Sequence, residues 1–338
     1  MKKLKVGIIG IGRLGYEHAC NIANRVPGME LVAIADANFE RAKEVGEELG
    51  VTAVYGDAKE LCNDPNVEAV AIITGTASHV EMIRIAMEAG KHVFCEKPLA
   101  ETVEKCKQAE EIIAAHPDQI FMLGFMRRFD HSYQVAKKKI DNGDIGDIIL
   151  VRCYSQDPIA IIEGTLAFAP RSGGQFIDMS IHDFDLIRWL TGSEVKQVWA
   201  TGGCYEFKQY ADWDDGDNVS GLMKMENDAM AFFFAGRAAA HGSHVETEII
   251  GTRGTLRIAA VPADSMVEVM SEHGVCRECY QDFITRWHDA YVTEMEVFRD
   301  CVNEGRVATP NVFDGTQATK VAFRCKESFQ KNQLLTLE

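Results

Sequence analysis

The chain lacks any apolar run of the ~18 residues that a membrane-crossing helix needs. Its opening MKKLKVGIIGIGRLG has a short apolar stretch, but glycines break it, no A-x-A site follows and Glu17 comes soon after. Neither a membrane span nor a secretory leader is therefore expected. Positive charge is in deficit: Lys and Arg number 35, Asp and Glu 51, for a net charge of −16. Such a balance argues against nucleic acid or an anionic membrane surface as partner. Only Cys276 and Cys279 form a CxxC, with no second pair nearby, so no zinc or other metal site is expected. The ten cysteines are scattered, most of them inside apolar runs as Cys95 and Cys153 are, which fits a reducing cytoplasm. There is no internal repeat, low-complexity segment or disordered linker.

What is present is a globular composition, with 46% hydrophobic and 25% charged residues. A length of 338 residues suits two domains. In the first 125 residues, short apolar runs alternate with helical patterns. Strands are expected over 4–10, 30–36, 67–74, 91–98 and 119–125, with helices over 13–26, 39–49, 78–89 and 102–115. Buried strands alternating with helices imply parallel βαβ units. The first turn reads Gly10-Ile-Gly12-Arg-Leu-Gly15 and lies between strand and helix, the context that gives a GxGxxG motif meaning. Gly10 permits the tight turn, Gly12 lets the backbone approach a pyrophosphate, and Gly15 lets helix and strand pack closely. Asp36 ends the second strand about 20 residues on, where a carboxylate accepts ribose hydroxyls and repels a 2′-phosphate. The expected cofactor is NAD. Arg13, Leu14, Thr74, Gly75 and His79 are expected to complete its contacts.

From about residue 126 the pattern changes. Helices are expected over 130–142 and 173–190, and strands over 147–156, 195–205, 218–226, 229–238, 244–251, 254–260 and 266–271. Short turns such as ENDA and GTRG imply antiparallel pairing. The expected class is α/β: a Rossmann domain over 1–125, then a domain over 126–338 with a large, open, mainly antiparallel sheet. In AMAFFFAGRAA, alternation puts Phe232 and Phe234 on one face and Phe233 on the other, so an apolar outer face should be buried against another subunit.

The stretch GGQFIDMSIHDFDLIRWL (173–190) reads as an amphipathic helix that also carries Asp178, His182, Asp183 and Asp185. Asp178 and His182 are four apart and share a helical face. A carboxylate one turn from an imidazole can hold its tautomer, as in a general base dyad. Spacing alone favours an ordinary helical Asp–His pair. Asp183 is expected to be solvated or ion-paired. Lys97 ends a strand at the carboxyl edge of the sheet, where such folds bind ligands. There it could take or relay an alcohol proton, with Glu96 orienting it.

CEKPLA (95–100), LGFMRRFD (123–130), GGQFIDMSIHDFD (173–185), HVETEIIGTRGTLRI (244–258) and WHDAYVTEMEVFRD (287–300) together resemble the glucose–fructose oxidoreductase / inositol dehydrogenase / rhizopine-catabolism family, and within it the inositol 2-dehydrogenase branch. The resemblance covers nearly the whole chain. It implies an NAD-dependent dehydrogenase that oxidises a secondary alcohol of a cyclic polyol, with Lys97, Asp178 and His182 at the catalytic positions. It places Glu96 and Lys97 beside the cofactor, and Lys97, Arg127, Asp157, Asp178, His182 and Ser243 around the substrate. It also implies a homo-oligomer, commonly a tetramer, assembled through the sheet. Related inositol dehydrogenases tend to have Tyr where this chain has Ser243, a departure that leaves room for another polyol; His241 and His244 could compensate. Another sugar dehydrogenase of the family is the alternative, and a non-catalytic dinucleotide-sensing regulator a more distant one.

Overall fold

The computed structural model describes residues 3–259, 263–272 and 274–337. By contacts the chain falls into two compact units: residues 1–130 with 288–319, and residues 131–287 with 320–338. The first crossing comes close to the expected boundary. Residues 288–319, expected with the second domain, belong to the first unit.

The first unit carries strands β1 (Leu4–Ile9), β2 (Met29–Ala35), β3 (Ala53–Tyr55), β4 (Ala69–Ile72), β5 (His92–Glu96) and β6 (Phe121–Gly124) in one sheet. Every pair of neighbouring strands is parallel and the order is β3-β2-β1-β4-β5-β6. That is a Rossmann order, and it reverses between β1 and β4, where such sheets bind ligands at their carboxyl ends. Helices α1 (Arg13–Asn24), α2 (Phe39–Leu49), α3 (Ala58–Asn63), α4 (His79–Glu88) and α5 (Val103–Ala114) connect the strands. Their starts follow capping chemistry: the side chains of Asn38, Asp57 and Thr102 accept backbone N–H groups at the heads of α2, α3 and α5. The core joins Val6, Ile8, Ile34, Ala71, Phe94 and Met122 of the sheet to Met295, Phe298 and Cys301. The last three lie on helix α10 (Phe283–Glu304), in the part of it that belongs to this unit.

The second unit holds α6 (His131–Asp141), β7 (Ile148–Pro158), α7 (Ile162–Phe168), α8 (Gln175–Asp178), α9 (Ile181–Thr191), β8 (Val195–Gly203), β9 (Asn218–Met225), β10 (Met230–Ala239), β11 (His244–Gly251), β12 (Thr255–Ile258), β13 (Val269–Ser271), β14 (Gly274–Cys276) and β15 (Leu335–Thr336). Helices α10 (Phe283–Glu304) and α11 (Val312–Lys331) each contain a boundary between the units. Seven strands form one sheet in the order β12-β11-β7-β10-β9-β8-β15. All neighbours in it are antiparallel except β7 and β10. Strands β13 and β14 pair separately. The strand expected over 254–260 is observed as far as Ile258, and Ala260 lies outside the described residues.

Alternation along β10 sets the two faces. Phe233 is buried against Phe184 and Phe176, at ring distances of 5.0 and 6.1 Å. Phe232 and Phe234 project oppositely and meet Tyr154 at 5.7 and 6.1 Å. On that outer face Leu222 and Met230 are exposed.

Candidate active site

In the first unit, the β1–α1 turn has the shape a dinucleotide needs. Gly10 adopts φ +94°, and a Cβ there would lie 2.6 Å from the Ile73 carbonyl oxygen. A Cβ on Gly15 would fall 2.0 Å from the Gly10 oxygen, so only glycine lets α1 pack this close to β1. Gly12 faces open space within 4 Å and leaves the backbone approachable. Asp36 leaves β2 beside this turn, and its carboxylate accepts the Ile11 N–H at 2.6 Å and the Asn38 N–H at 2.7 Å. The residues present fit NAD: a glycine cradle at a helix N-terminus, with a carboxylate placed for a ribose. Arg13 is exposed, while Leu14 packs partly into the core.

The β4 and β5 ends contribute Thr74, Gly75 and Lys97. Thr74 Oγ1 and Ser78 Oγ are 2.7 Å apart, and Gly75 is exposed. His79 is buried, with Nδ1 2.8 Å from the Pro98 oxygen and Nε2 3.1 Å from the Thr74 oxygen. Burial depresses its pKa, against the pull of those two carbonyls. A neutral ring carries one N–H, so it donates to one of these two oxygens at a time. Glu96 is also buried; its oxygens face His18 Nε2 at 3.0 Å and the Lys97 amide at 3.1 Å. Lys97 is half-buried, and Arg127 is buried in a short turn over Met126–Phe129.

In the second unit, the expected continuous helix over 173–190 is two helices. Helix α8 ends at Asp178 and α9 begins at Ile181. At the join the Ser180 N–H reaches five residues back, to the Gln175 oxygen. Asp178 therefore closes one short helix while His182 lies in the first turn of the next. Helix α9 is not amphipathic in the expected sense either, since every residue from Ile181 to Ile187 is buried. The expectation that Asp183 is solvated is overturned: it is fully buried and accepts the Ser155 hydroxyl at 2.8 Å. An internal serine donor makes this burial tolerable.

The entry into α8 is built by glycine and a carboxylate. Gly173 and Gly174 have φ of +82° and +98°, and Asp215 accepts the Gln175 N–H at 2.7 Å. Burial pushes the Asp215 carboxyl up, while hydrogen bonds from Gln175 and Gly216 and the charge of Arg237 oppose it.

The residue that sequence reasoning missed is Arg237, in β10. It is 5% exposed, and donates from Nη1 to Asp157 Oδ2 and from Nη2 to Asp178 Oδ2, both at 2.7 Å. Burial works against its charge, yet the two carboxylates outweigh burial and its pKa is raised. A lone arginine inside the apolar run AMAFFFAGRAA was the available signal, because a guanidinium in a strand core requires buried acids. Tyr210 lies beside this trio. Burial first, then Asp215, Asp178 and Asp157, push its hydroxyl up to about 12 against the pull of Arg237, so it remains a proton donor.

Asp157 and Asp178, both expected around the substrate and Asp178 also at a catalytic position, are joined by one guanidinium. Ser243 is 3% exposed and its N–H donates to the Tyr280 oxygen at 2.7 Å. His241 and His244 pair at 3.0 Å, and His244 Nε2 lies 3.2 Å from Glu246 Oε2. Glu246 also accepts from Arg257 at 2.9 Å, so these histidines end a polar chain along the sheet edge.

The parallel sheet, the glycine cradle with Asp36 and the loaded carboxyl edge define a dinucleotide-dependent oxidoreductase. Residues 4–125 match the model of an oxidoreductase family with an NAD-binding Rossmann fold, and residues 133–257 match the GFO/IDH/MocA C-terminal domain. The chain belongs to the GFO/IDH/MocA family of NAD-binding oxidoreductases. It is 34% identical to scyllo-inositol 2-dehydrogenase (NAD(+)) of Bacillus subtilis strain 168, over 99% of this chain and 97% of that protein. Identity to the myo-inositol 2-dehydrogenase of Thermotoga maritima is 33%, over 99% of both. Among solved structures, scyllo-inositol dehydrogenase from Lactobacillus casei with bound NAD(H) and scyllo-inositol matches with a TM-score of 0.96 and 41% identity, over 99% of both chains.

Proposed function

We propose that this chain is an inositol 2-dehydrogenase that oxidises the secondary alcohol of myo- or scyllo-inositol to the inosose. The observation that carries the reading is the Arg237 clamp, which joins Asp157 and Asp178 at the end of the segment leading to His182. The scyllo- and myo-inositol dehydrogenases similar along almost their whole length support the choice of substrate.

Removing hydrogen from a secondary alcohol sends a hydride one way and a proton the other. NAD, when bound, supplies the hydride acceptor. Gly10, Gly12, Gly15 and Asp36 would hold it, with Arg13, Leu14, Thr74, Gly75 and Lys97 around it; His79 and Glu96 shape the loops behind. A carboxylate already paired with a guanidinium is a poor proton acceptor. Asp178 therefore acts through its charge and its hold on geometry, and the proton passes to His182 and Lys97. Asp157, fixed by the same guanidinium, accepts a hydroxyl of the polyol, with Arg127 and Ser243 as further contacts. A site that hydrogen-bonds several hydroxyls rejects analogues lacking them.

The enzyme is read as cytoplasmic and as a homotetramer assembled through the outer face of the large sheet. The exposed Leu222 and Met230 beside the Tyr154, Phe232 and Phe234 rings support that assembly. Among the described residues no helix is long and apolar enough to cross a membrane. A panel of inositols, aldoses and deoxy sugars, assayed for NADH formation, tests the reading. Highest kcat/KM on an inositol supports it. Highest kcat/KM on an aldose favours the second reading, a sugar dehydrogenase, to which the short side chain of Ser243 points. No NADH from any of them contradicts both.

A further inference from the structure

Behind the Lys97 turn, within the first unit, lies a group of ionisable side chains that the reaction does not use. His18 of α1, Glu96 of β5 and Glu294 of α10 are all buried, and one candidate ligand atom of each lies within 4.8 Å of the others. Each carboxyl has a different environment. Glu96 has two donors in reach, His18 Nε2 at 3.0 Å and the Lys97 amide at 3.1 Å. Gly124 makes room for it, since a Cβ there would come within 3.1 Å of the Glu96 carboxyl. Glu294 is 0% exposed, and neither of its oxygens has a hydrogen-bond partner. Its nearest approach to His18 Nε2 is 3.9 Å.

We propose that the Glu96–Glu294 pair carries one proton, held on Glu294 as a buried neutral acid, and that this uncharged head, packed beside His18, helps position the Glu96 carboxylate that holds the Lys97 turn. Two carboxylates this close, in a pocket walled by the rings of Phe94 and Tyr291, cannot both carry charge. Of the two, only Glu96 has polar partners in reach, the His18 ring nitrogen and the Lys97 amide. Glu96 therefore keeps the charge and Glu294 the proton. Burial, and after it the charge of Glu96, pushes the Glu294 carboxyl well above the ordinary range. The remaining groups facing this pocket are the Tyr291 phenol, itself raised by burial, and the cations Arg13 and Arg127, whose fields reach Tyr291. The direct 3.0 Å contact between His18 and Glu96 favours a proton over a metal ion as the partner of this group.

The positioning half of this inference rests on the reading that Lys97 acts in the reaction, whereas the protonation half does not. Infrared difference spectra of wild type minus Glu294→Gln at neutral pH should show a carboxylic-acid C=O band. Its absence would overturn the shared proton, as would a stoichiometric metal found by elemental analysis of the purified protein. Kinetics test the positioning. Glu294→Gln keeps a neutral polar head of the same shape and should stay close to wild type. Glu294→Leu changes the shape and polarity beside His18 and Glu96 and should lower kcat on the order of 10-fold or more, with KM for NAD changing less, because small displacements of a reacting group are costly. Matched thermal unfolding of both variants shows that each is folded. If Lys97→Ala is inactive while the Gln and Leu variants share one kcat and one pH profile, the positioning role is overturned. If Lys97→Ala is fully active, the reading of Lys97 itself falls.

Discussion

Arg237 donates to Asp178 at 2.7 Å from one guanidinium nitrogen and to Asp157 at 2.7 Å from the other. One strand residue thereby fixes a carboxylate at the end of β7 and another at the end of α8. Removing the guanidinium takes away the cation that these two acids share. Breaking a buried ion pair from one side costs roughly 3–5 kcal/mol. Arg237→Met should lower the unfolding free energy by an amount in that range. Arg237→Lys keeps the charge but cannot make both bonds in one plane, so it should fold better than Met yet lose kcat. Chemical denaturation and steady-state kinetics on both variants check this. Wild-type kcat in Arg237→Lys would show that the fork geometry is irrelevant to turnover.

Asp36 anchors the glycine turn through the Ile11 amide and stands where the adenosine ribose would lie. NAD should be preferred over NADP, and Asp36→Ala should raise KM for NAD while narrowing the preference. A wild-type enzyme that prefers NADP would contradict the role given to this carboxylate.

The raised pKa of Glu294 has a consequence for stability. Between the ordinary glutamate value and the raised native value, the unfolded chain releases a proton that the native chain keeps. Stability from this site is therefore present at low pH and declines as pH rises through that window. Glu294→Gln has no such proton to lose. Its stability relative to wild type should rise steadily from acid to neutral pH in urea titrations. A pH-independent difference would mean that Glu294 is ionised in the native protein.

The outer face of β9 and β10 is apolar and carries exposed Leu222 and Met230. Light scattering at micromolar concentration should report an oligomer, and Leu222→Asp should shift it toward smaller species. A wild-type monomer would remove the assembly role from this face.

Much of this was legible in the sequence because local chemistry and global fold agreed. The GxGxxG turn, Asp36 and Lys97 at strand ends, and the alternation of Phe232, Phe233 and Phe234 all follow from period and position. The short strand β3 and helix α3 were not read, because three half-buried residues and one and a half turns carry little periodicity. The break between α8 and α9 was hidden too: both flanks are helical, and the reach from Ser180 to Gln175 leaves no mark in the residue pattern. Residues 288–304 and 312–319 belong to helices α10 and α11, and helical periodicity does not say which unit covers the apolar face. Arg237 and Glu294 needed three dimensions, since the acids they meet are 59 or more residues away in the one case and on another element in the other.

In the proposed chemistry Lys97 and His182 handle the alcohol proton. The most direct test is the pH dependence of kcat for wild type, Lys97→Ala and His182→Ala on an inositol. A positioned acid or base contributes ~10²–10⁴-fold, so each variant should lose about that much. The two losses should not multiply if one proton path is served. The rate should rise with pH in wild type as the base sheds its proton, and that limb should move or vanish in the variants. A His182→Ala enzyme with near-wild-type kcat and an unchanged pH profile would contradict the account.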